Sequence, residues 1–252
     1  MSDRRAIVNP VKGRNPPQTG AMAIVVATQS DFRLIGDLTG TSVVEQRQLY
    51  MSRLQVRAAG QQRFTIVGPL IGAPFAAMVV ETLAVWGVTD ILFTGWCGAV
   101  SRQVKTGDII LPTSAMVDEG TSNHYNTPPG MPATPALSLV QHVRSALQNR
   151  NEAYHEGAIW TTDGIFRETV EKVKHYQKLG ALAVEMELSA ILSVAAFRNL
   201  KAAGLLVVSD ELSEYEWRPG FKKPEFKAAR ETVCRTALAL AGGWRNNVKE
   251  DD

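Results

Sequence analysis

Short, mostly continuous apolar runs of β-forming residues alternate along this chain with segments of helical periodicity, and that alternation limits the fold more than any other feature. The β-type runs are Ala21–Thr28, Phe64–Gly68, Ile91–Gly95, Asp108–Pro112, Ala158–Thr161, Ala181–Met186 and Gly204–Ser209. A half-solvated strand alternates apolar and polar residues, whereas a run without alternation expects cover on both faces. Helical spacing falls at Pro74–Trp86, Pro135–Gln148, Thr169–Lys178, Leu188–Phe197 and Pro224–Leu240. Strands that take turns with helices build a sheet between helical layers. The expectation is an α/β chain, a single-domain three-layer α/β/α sandwich with a central mixed, mostly parallel sheet over residues 21–252. Residues 1–20, with Pro10, Gly13, Pro16, Pro17 and Gly20, read as an extended N-terminal arm. Residues 113–134 and 211–224 read as long irregular loops, and loops of that length are often functional.

Composition removes several classes of function. A hydrophobic content of 45% in 252 residues supports a full core. The formal charge is +2, with Lys and Arg scattered among acids, so there is no electrostatic case for nucleic acid. No apolar run reaches the roughly 18 residues a membrane helix needs, and Met-Ser-Asp-Arg-Arg lacks the apolar stretch of a signal peptide. Cys97 and Cys234 lie far apart, which fits a reducing cytoplasm. Neither they nor His124, His142, His155 and His175 have metal-ligand spacing. The chain is expected to be cytoplasmic, with no metal and no cofactor.

Two segments end an apolar run abruptly in carboxylates: Ala183-Val-Glu-Met-Glu-Leu-Ser-Ala190 and Leu205-Leu-Val-Val-Ser-Asp-Glu211. Ligands of a mostly parallel sheet bind outside the carboxyl ends of its strands, so neighbouring strands would bring Glu187 and Asp210 to one crevice. A carboxylate accepting two hydroxyl hydrogen bonds clamps a sugar diol, each bond contributing roughly 1.5–3 kcal/mol. A carboxyl group in an apolar crevice has its pKa raised and can donate a proton near neutrality. Such a pair is the equipment for breaking an N-glycosidic bond. Plainer readings use the same residues. Glu185 and Glu187, on either side of Met186, can complement a helix N-terminus, and Asp210 can cap a helix or a turn. Gly95-Trp-Cys-Gly98 reads as a tight glycine turn whose backbone N–H groups approach an anion or a base.

Together these pieces resemble the superfamily of purine nucleoside phosphorylases and uridine phosphorylases, which also contains nucleoside hydrolases. The resemblance runs from about Ala21 to Gly242 and is most specific at Val184-Glu-Met-Glu187 and Val208-Ser-Asp210. Gly95 to Val100, Thr106 to Pro112 and Asp118-Glu-Gly-Thr-Ser-Asn-His-Tyr125 support it. The resemblance implies that Glu187 holds the ribose hydroxyls, that Met186 lies under the sugar and that Glu185 is a further substrate-side acid. It implies that Asp210 protonates purine N7; uridine phosphorylases carry an asparagine there, so a pyrimidine substrate fits less well. Phe166, with Ile165, matches an aromatic position against the base. Gly98 belongs to the base-side turn, and Gly72 to a loop facing phosphate and ribose. His124 would reach the ribose 5′ side if its segment closes over the crevice, or is simply solvated. Arg218 would pair with Asp210 or a substrate anion, or belongs to a surface turn.

The departures bear on the nucleophile. Phosphorylases of this type hold phosphate with arginines and a Ser or Thr at positions that here resemble Asp31, Phe93 and Trp96. Arg47 keeps its type, as the arginine a neighbouring subunit contributes, and Arg33 and Arg167 are possible replacements. The family's nucleosidases carry an acid on the first loop that activates water, and Asp31 fits that role or that of a solvated loop acid. Trp96 either narrows the pocket or belongs to the core. The implied function is cleavage of the N-glycosidic bond of a purine-type nucleoside, by inorganic phosphate as co-substrate or by water. The alternatives are a hydrolytic nucleosidase using Asp31 and a non-catalytic nucleoside-binding homologue. The implied partners are a small nucleoside and further copies of the chain, as a dimer or hexamer.

Overall fold

The computed structural model describes residues 6–125, 127–128 and 130–247. Its strands are β1 (Met22–Val26), β2 (Ser42–Leu49), β3 (Ser52–Ala59), β4 (Gln62–Gly68), β5 (Asp90–Ala99), β6 (Ile109–Asp118), β7 (His155–Thr162), β8 (Ala181–Glu185), β9 (Lys201–Glu211) and β10 (Arg218–Pro219). The helices are α1 (Gln29–Leu38), α2 (Ala73–Val85), α3 (Leu137–Asn149), α4 (Val170–Lys178), α5 (Leu188–Phe197) and α6 (Pro224–Asn247). The strands form one sheet in the order β10-β9-β6-β7-β8-β5-β1-β4-β3-β2. Because β9 also pairs with β5, strands β5, β9, β6, β7 and β8 close into a ring.

The sheet is mixed. Pairs β4–β1, β1–β5, β5–β9, β6–β7 and β7–β8 run parallel. The β2–β3–β4 meander and the ring contacts β5–β8 and β6–β9 run antiparallel.

β1 shows why its sequence carries no alternation. Ala23 and Val25 enter a core shared with α2 and α5. Met22, Ile24 and Val26 enter another shared with α1, α3 and α6. Every residue of β1 is buried, and each large apolar side chain so placed contributes roughly 1.5–3 kcal/mol. A smaller cluster, including Trp160 stacked on Tyr176 at 4.3 Å, packs α4 against the ring. No helix among the described residues is long and apolar enough to cross a membrane.

The structure departs from the sequence expectation in three places. Gly95-Trp-Cys-Gly98 is not a turn: β5 runs through it to Ala99, with a register shift against β9 between Cys97 and Gly98. β6 extends to Asp118 and takes up the first part of the loop expected at 113–134. Residues 29–59, left unassigned from sequence, form α1 and the β2–β3 hairpin. Residues 6–20 carry no helix or strand and are fastened to the domain by backbone acceptors. The Trp86 indole donates to the Lys12 carbonyl at 3.1 Å, and the Thr65 hydroxyl to the Thr19 carbonyl at 2.7 Å.

Candidate active site

β8 ends at Glu185 and α5 starts at Leu188, leaving Glu187 at the N-cap with φ −133° and ψ −35°. The first N–H groups of a helix have no partner inside it. Glu185 supplies one: a carboxyl oxygen accepts the N–H groups of Glu187 at 2.8 Å and Leu188 at 2.7 Å. Its other oxygen accepts the Thr161 hydroxyl. Both oxygens of buried Glu185 are thus engaged inside the protein, where the side chain caps the start of α5. Glu187 is also buried, and one of its oxygens accepts the Gly72 N–H at 2.6 Å. Gly72 is the N-cap of α2 with φ 81°, a left-handed conformation that favours glycine. The partly positive ends of α2 and α5 therefore meet at Glu187. Burial pushes both carboxyl groups well above the ordinary carboxylate range, and for Glu185 the neighbouring Glu187 adds to the shift. Met186 between them is half-buried.

One strand away, beyond β5, Asp210 lies near the end of β9. Its carboxyl oxygens accept the Ser209 hydroxyl at 2.6 Å and the Trp217 indole N–H at 2.9 Å. Gly98 lies between the two acid-bearing strands, in register with Val184 on β8 and Asp210 on β9. The buried Cys97 thiol is pushed far up, first by burial and then by Asp210 and Glu185, so both carboxyl groups act on one buried point. Sequence reasoning missed Glu168. Its carboxyl is pushed up to about 7 by burial and by Asp210, with Lys172 opposing. A lone acid just before the Thr169 helix cap carries no signal of this in the sequence.

The other expected residues differ in exposure and partners. Phe166 is 95% exposed and Ile165 is 52% exposed, on a short 3-10 helix (Ile165–Arg167) where Arg167 is exposed too. His124 is exposed on a second short 3-10 helix (Ser122–Tyr125). Arg218 is exposed and lies 3.5 Å from Glu216, while its neighbour Trp217 takes the Asp210 contact. Arg33 is exposed, Phe93 is wholly buried, and Arg47 on β2 pairs with Glu45 and the Asn15 carbonyl.

Trp96 turns toward α6, its ring 5.0 Å from that of Phe226 and under the Arg230 guanidinium. Its N–H donates to Asp31. The other Asp31 oxygen accepts Arg230 Nε at 2.7 Å. Asp31 is therefore neither a solvated loop acid nor an open base: it is buried and ion-paired, with both oxygens engaged. Among the described residues no group of three or more His, Cys, Asp or Glu side chains could hold a metal ion.

The profile of the phosphorylase superfamily matches residues 21–241. Guanosine phosphorylase of Halorubrum lacusprofundi is 32% identical over 148 residues, covering 59% of this chain and 61% of that protein. A DeoD-type purine nucleoside phosphorylase of Myxococcus xanthus is 29% identical over 152 residues, covering 60% of this chain and 64% of that protein. The matched stretch thus spans less than two thirds of either relative. Among solved structures, uridine phosphorylase from Vibrio fischeri superposes with a TM-score of 0.76 at 23% identity, over 88% of this chain and 91% of that one. Purine nucleoside phosphorylase from Toxoplasma gondii, in complex with immucillin-H, gives 0.77 at 19%, over 92% and 94%. AMP nucleosidase from Bacteroides thetaiotaomicron gives 0.72 at 22%, over 91% and 92%. At these identities the superpositions establish the shared fold. The profile runs from the strand that opens the sheet into the last helix, and this chain belongs to the phosphorylase superfamily.

Proposed function

We propose that this chain cleaves the N-glycosidic bond of a purine-type nucleoside. The observation that carries the reading is the placement of Glu187 and Asp210: one at the meeting of two helix N-termini, the other one strand away across Gly98. In cleavage, the bond between the sugar C1′ and the base nitrogen breaks with its electron pair going to the base. The Asp210 carboxyl gives a proton to the leaving base, a contribution typically of 10²–10⁴-fold. Glu187 accepts hydrogen bonds from the sugar hydroxyls and holds the ring as positive charge develops at C1′. A nucleophile then adds at C1′. The guanosine and purine nucleoside phosphorylases among the relatives favour phosphate.

The Asp31–Arg230 pair favours water as a second reading. Where the resemblance implies an arginine, this chain holds a carboxylate already joined to a guanidinium, so a dianion gains no free cation there. In either version the protein acts in the cytoplasm as a homo-oligomer, a dimer or hexamer. The same reading takes residues 1–20 as an extended arm before a domain over 21–252, of which residues 1–5 and 248–252 lie outside the described residues.

The test is base release from inosine, guanosine and adenosine with and without inorganic phosphate, for the parent protein and Asp210→Asn. Release that needs phosphate supports phosphorolysis, and release without it supports hydrolysis. Tight nucleoside binding with no release from any of them leaves the non-catalytic homologue and overturns the enzyme reading. A full rate in Asp210→Asn removes the assigned acid.

A further inference from the structure

The segment after β6 lies along one face of α5. Glu119 is buried, and its carboxyl accepts the N–H groups of Thr121 and Ser122 and, at 2.9 Å, the Ser189 hydroxyl. Further along, Thr127 Oγ1 donates to Ser193 Oγ at 2.7 Å, and the Tyr125 ring meets that of Phe197 edge-on at 5.5 Å. Ser189, Ser193 and Phe197 are spaced by four, which places them on one helix face. From Ser189 the hydrogen bonds continue inward. Its N–H donates to Thr161 Oγ1 at 3.1 Å, the Thr161 hydroxyl donates to Glu185, and Glu185 accepts the N–H groups of Glu187 and Leu188. Glu187 completes the chain on Gly72.

We propose that Glu119 is a positioning residue for the sugar end of the site. It locks the first turn of α5 against the loop, and thereby fixes the backbone from which Glu187 reaches a sugar. This rests on the reading of Glu187 as the sugar-holding acid. Every partner of Glu119 is a donor, so the position needs an acceptor on both oxygens. A glutamine of the same shape presents an N–H₂ to a donor on one side and leaves buried groups unpaired. Glu119 does not touch the substrate. Its loss is felt as a displaced Glu187, which weakens binding of the sugar and leaves the base end alone.

The experiment uses the full chain as parent, Glu119→Gln and Ser189→Ala. Calorimetry measures binding of a purine nucleoside and of its free base, and steady-state assays give kcat and KM. For Glu119→Gln, Kd and KM for the nucleoside are expected to rise about tenfold, the effect of one charge-assisted hydrogen bond. Affinity for the free base stays within about twofold of the parent, well under the tenfold step. Ser189→Ala removes the Glu119–Ser189 bond and leaves the Thr127–Ser193 and Tyr125–Phe197 contacts in place, and it shifts the nucleoside alone in the same direction. A role in general stability cannot separate the two ligands. Parallel weakening for nucleoside and base, or no change for either, overturns the proposal. If Glu119→Gln does not fold, the Ser189→Ala comparison decides by the same criterion. A parent protein that binds no nucleoside removes the functional reading itself, whereas normal parent binding with an unchanged variant removes only the role of Glu119.

Discussion

The Glu187 carboxylate accepts the Gly72 N–H at 2.6 Å, and through that bond the N-termini of α2 and α5 meet on one acidic side chain. The helices leave the sheet from different strands, α2 after β4 and α5 after β8. Their convergence follows from the packing of α2 on α5 over the same apolar face. A carboxylate offers about four lone-pair sites, so its bonds to backbone N–H groups leave Glu187 acceptor capacity for a ligand hydroxyl.

Replacing Glu187 by Ala removes that capacity. If the side chain holds two sugar hydroxyls, each bond contributes roughly 1.5–3 kcal/mol, so kcat/KM should fall by about 10²–10⁴-fold. Steady-state base release checks this. A loss below tenfold would show that another group holds the sugar.

The buried acids give stability a pH dependence of definite sign. Burial pushes the Glu185 and Glu187 carboxyl groups well above the ordinary carboxylate range and raises Glu168 to about 7, against an ordinary value of 4.5. Between 4.5 and the raised values the folded protein holds protons that the unfolded chain has released. Stability is therefore full at the acid end of this window and is lost as pH rises through it. The slope is at most about 1.4 kcal/mol per pH unit for each group. Urea unfolding from pH 5.5 to 8 should show a falling free energy. Glu187→Gln, which can still accept the Gly72 N–H through its carbonyl, should make the fall shallower. A free energy that rises over this range contradicts the assignment.

Asp31 and Arg230 join α1 to α6 in a buried ion pair capped by the Trp96 indole. Removing one partner of such a pair leaves an uncompensated charge and costs roughly 3–5 kcal/mol. Arg230→Met should lower the unfolding free energy by about that amount, again because one buried charge is stranded. Asp31→Asn tests chemistry separately. With both oxygens engaged, Asp31 is not poised to take a proton from water, so kcat well below the melting transition should stay within about threefold, far from the 10²–10⁴-fold of a general base. A drop of that larger size would restore Asp31 as the base.

The acids at the strand ends were legible in the sequence because Val184-Glu-Met-Glu187 and Val208-Ser-Asp210 break off apolar runs that must lie inside a sheet. The β2–β3 hairpin was not. β2 reads Ser-Val-Val-Glu-Gln-Arg-Gln-Leu and lies at the sheet edge, mostly exposed, so it needs no continuous apolar run and carries charge instead. α1 was missed although its cap is written locally, with Thr28 accepting the Asp31 N–H at 3.1 Å. The fate of Asp31 was not written locally: its partner Arg230 arrives from the last helix, and only tertiary packing joins them. Which glutamate would cap α5 also stayed open, because that depends on the helix starting at Leu188 and not at Glu187.

Gly95 and Gly98 suggested a turn, yet Gly98 lies within a strand and leaves space that Leu212 and the Asp210 carboxyl occupy, and that fit can be tested. A Cβ at Gly98 would lie 2.5 Å from Leu212 Cδ1, 3.2 Å from Asp210 Oδ2 and 3.5 Å from Val184 Cγ1. The first contact is closer than real Cβ atoms allow, so Leu212 must rotate; the second requires the Asp210 carboxyl to yield by a few tenths of an ångström. Gly98 is absent from the positive-φ positions, so alanine strains side chains and not the backbone. Overpacking of this kind costs typically 1–3 kcal/mol. Gly98→Ala should therefore remain folded with a lowered melting temperature. Among the described residues the Asp210 carboxyl accepts the Ser209 hydroxyl and the Trp217 indole, both of which can follow it or let it go. A proton donor shifted against the leaving base should lose about tenfold or more of a general-acid effect that spans 10²–10⁴. Comparing kcat with the unfolding free energy separates the outcomes. Lost stability at unchanged kcat would show that Asp210 tolerates displacement, and with it that the fit between β5 and β9 does not set the chemistry.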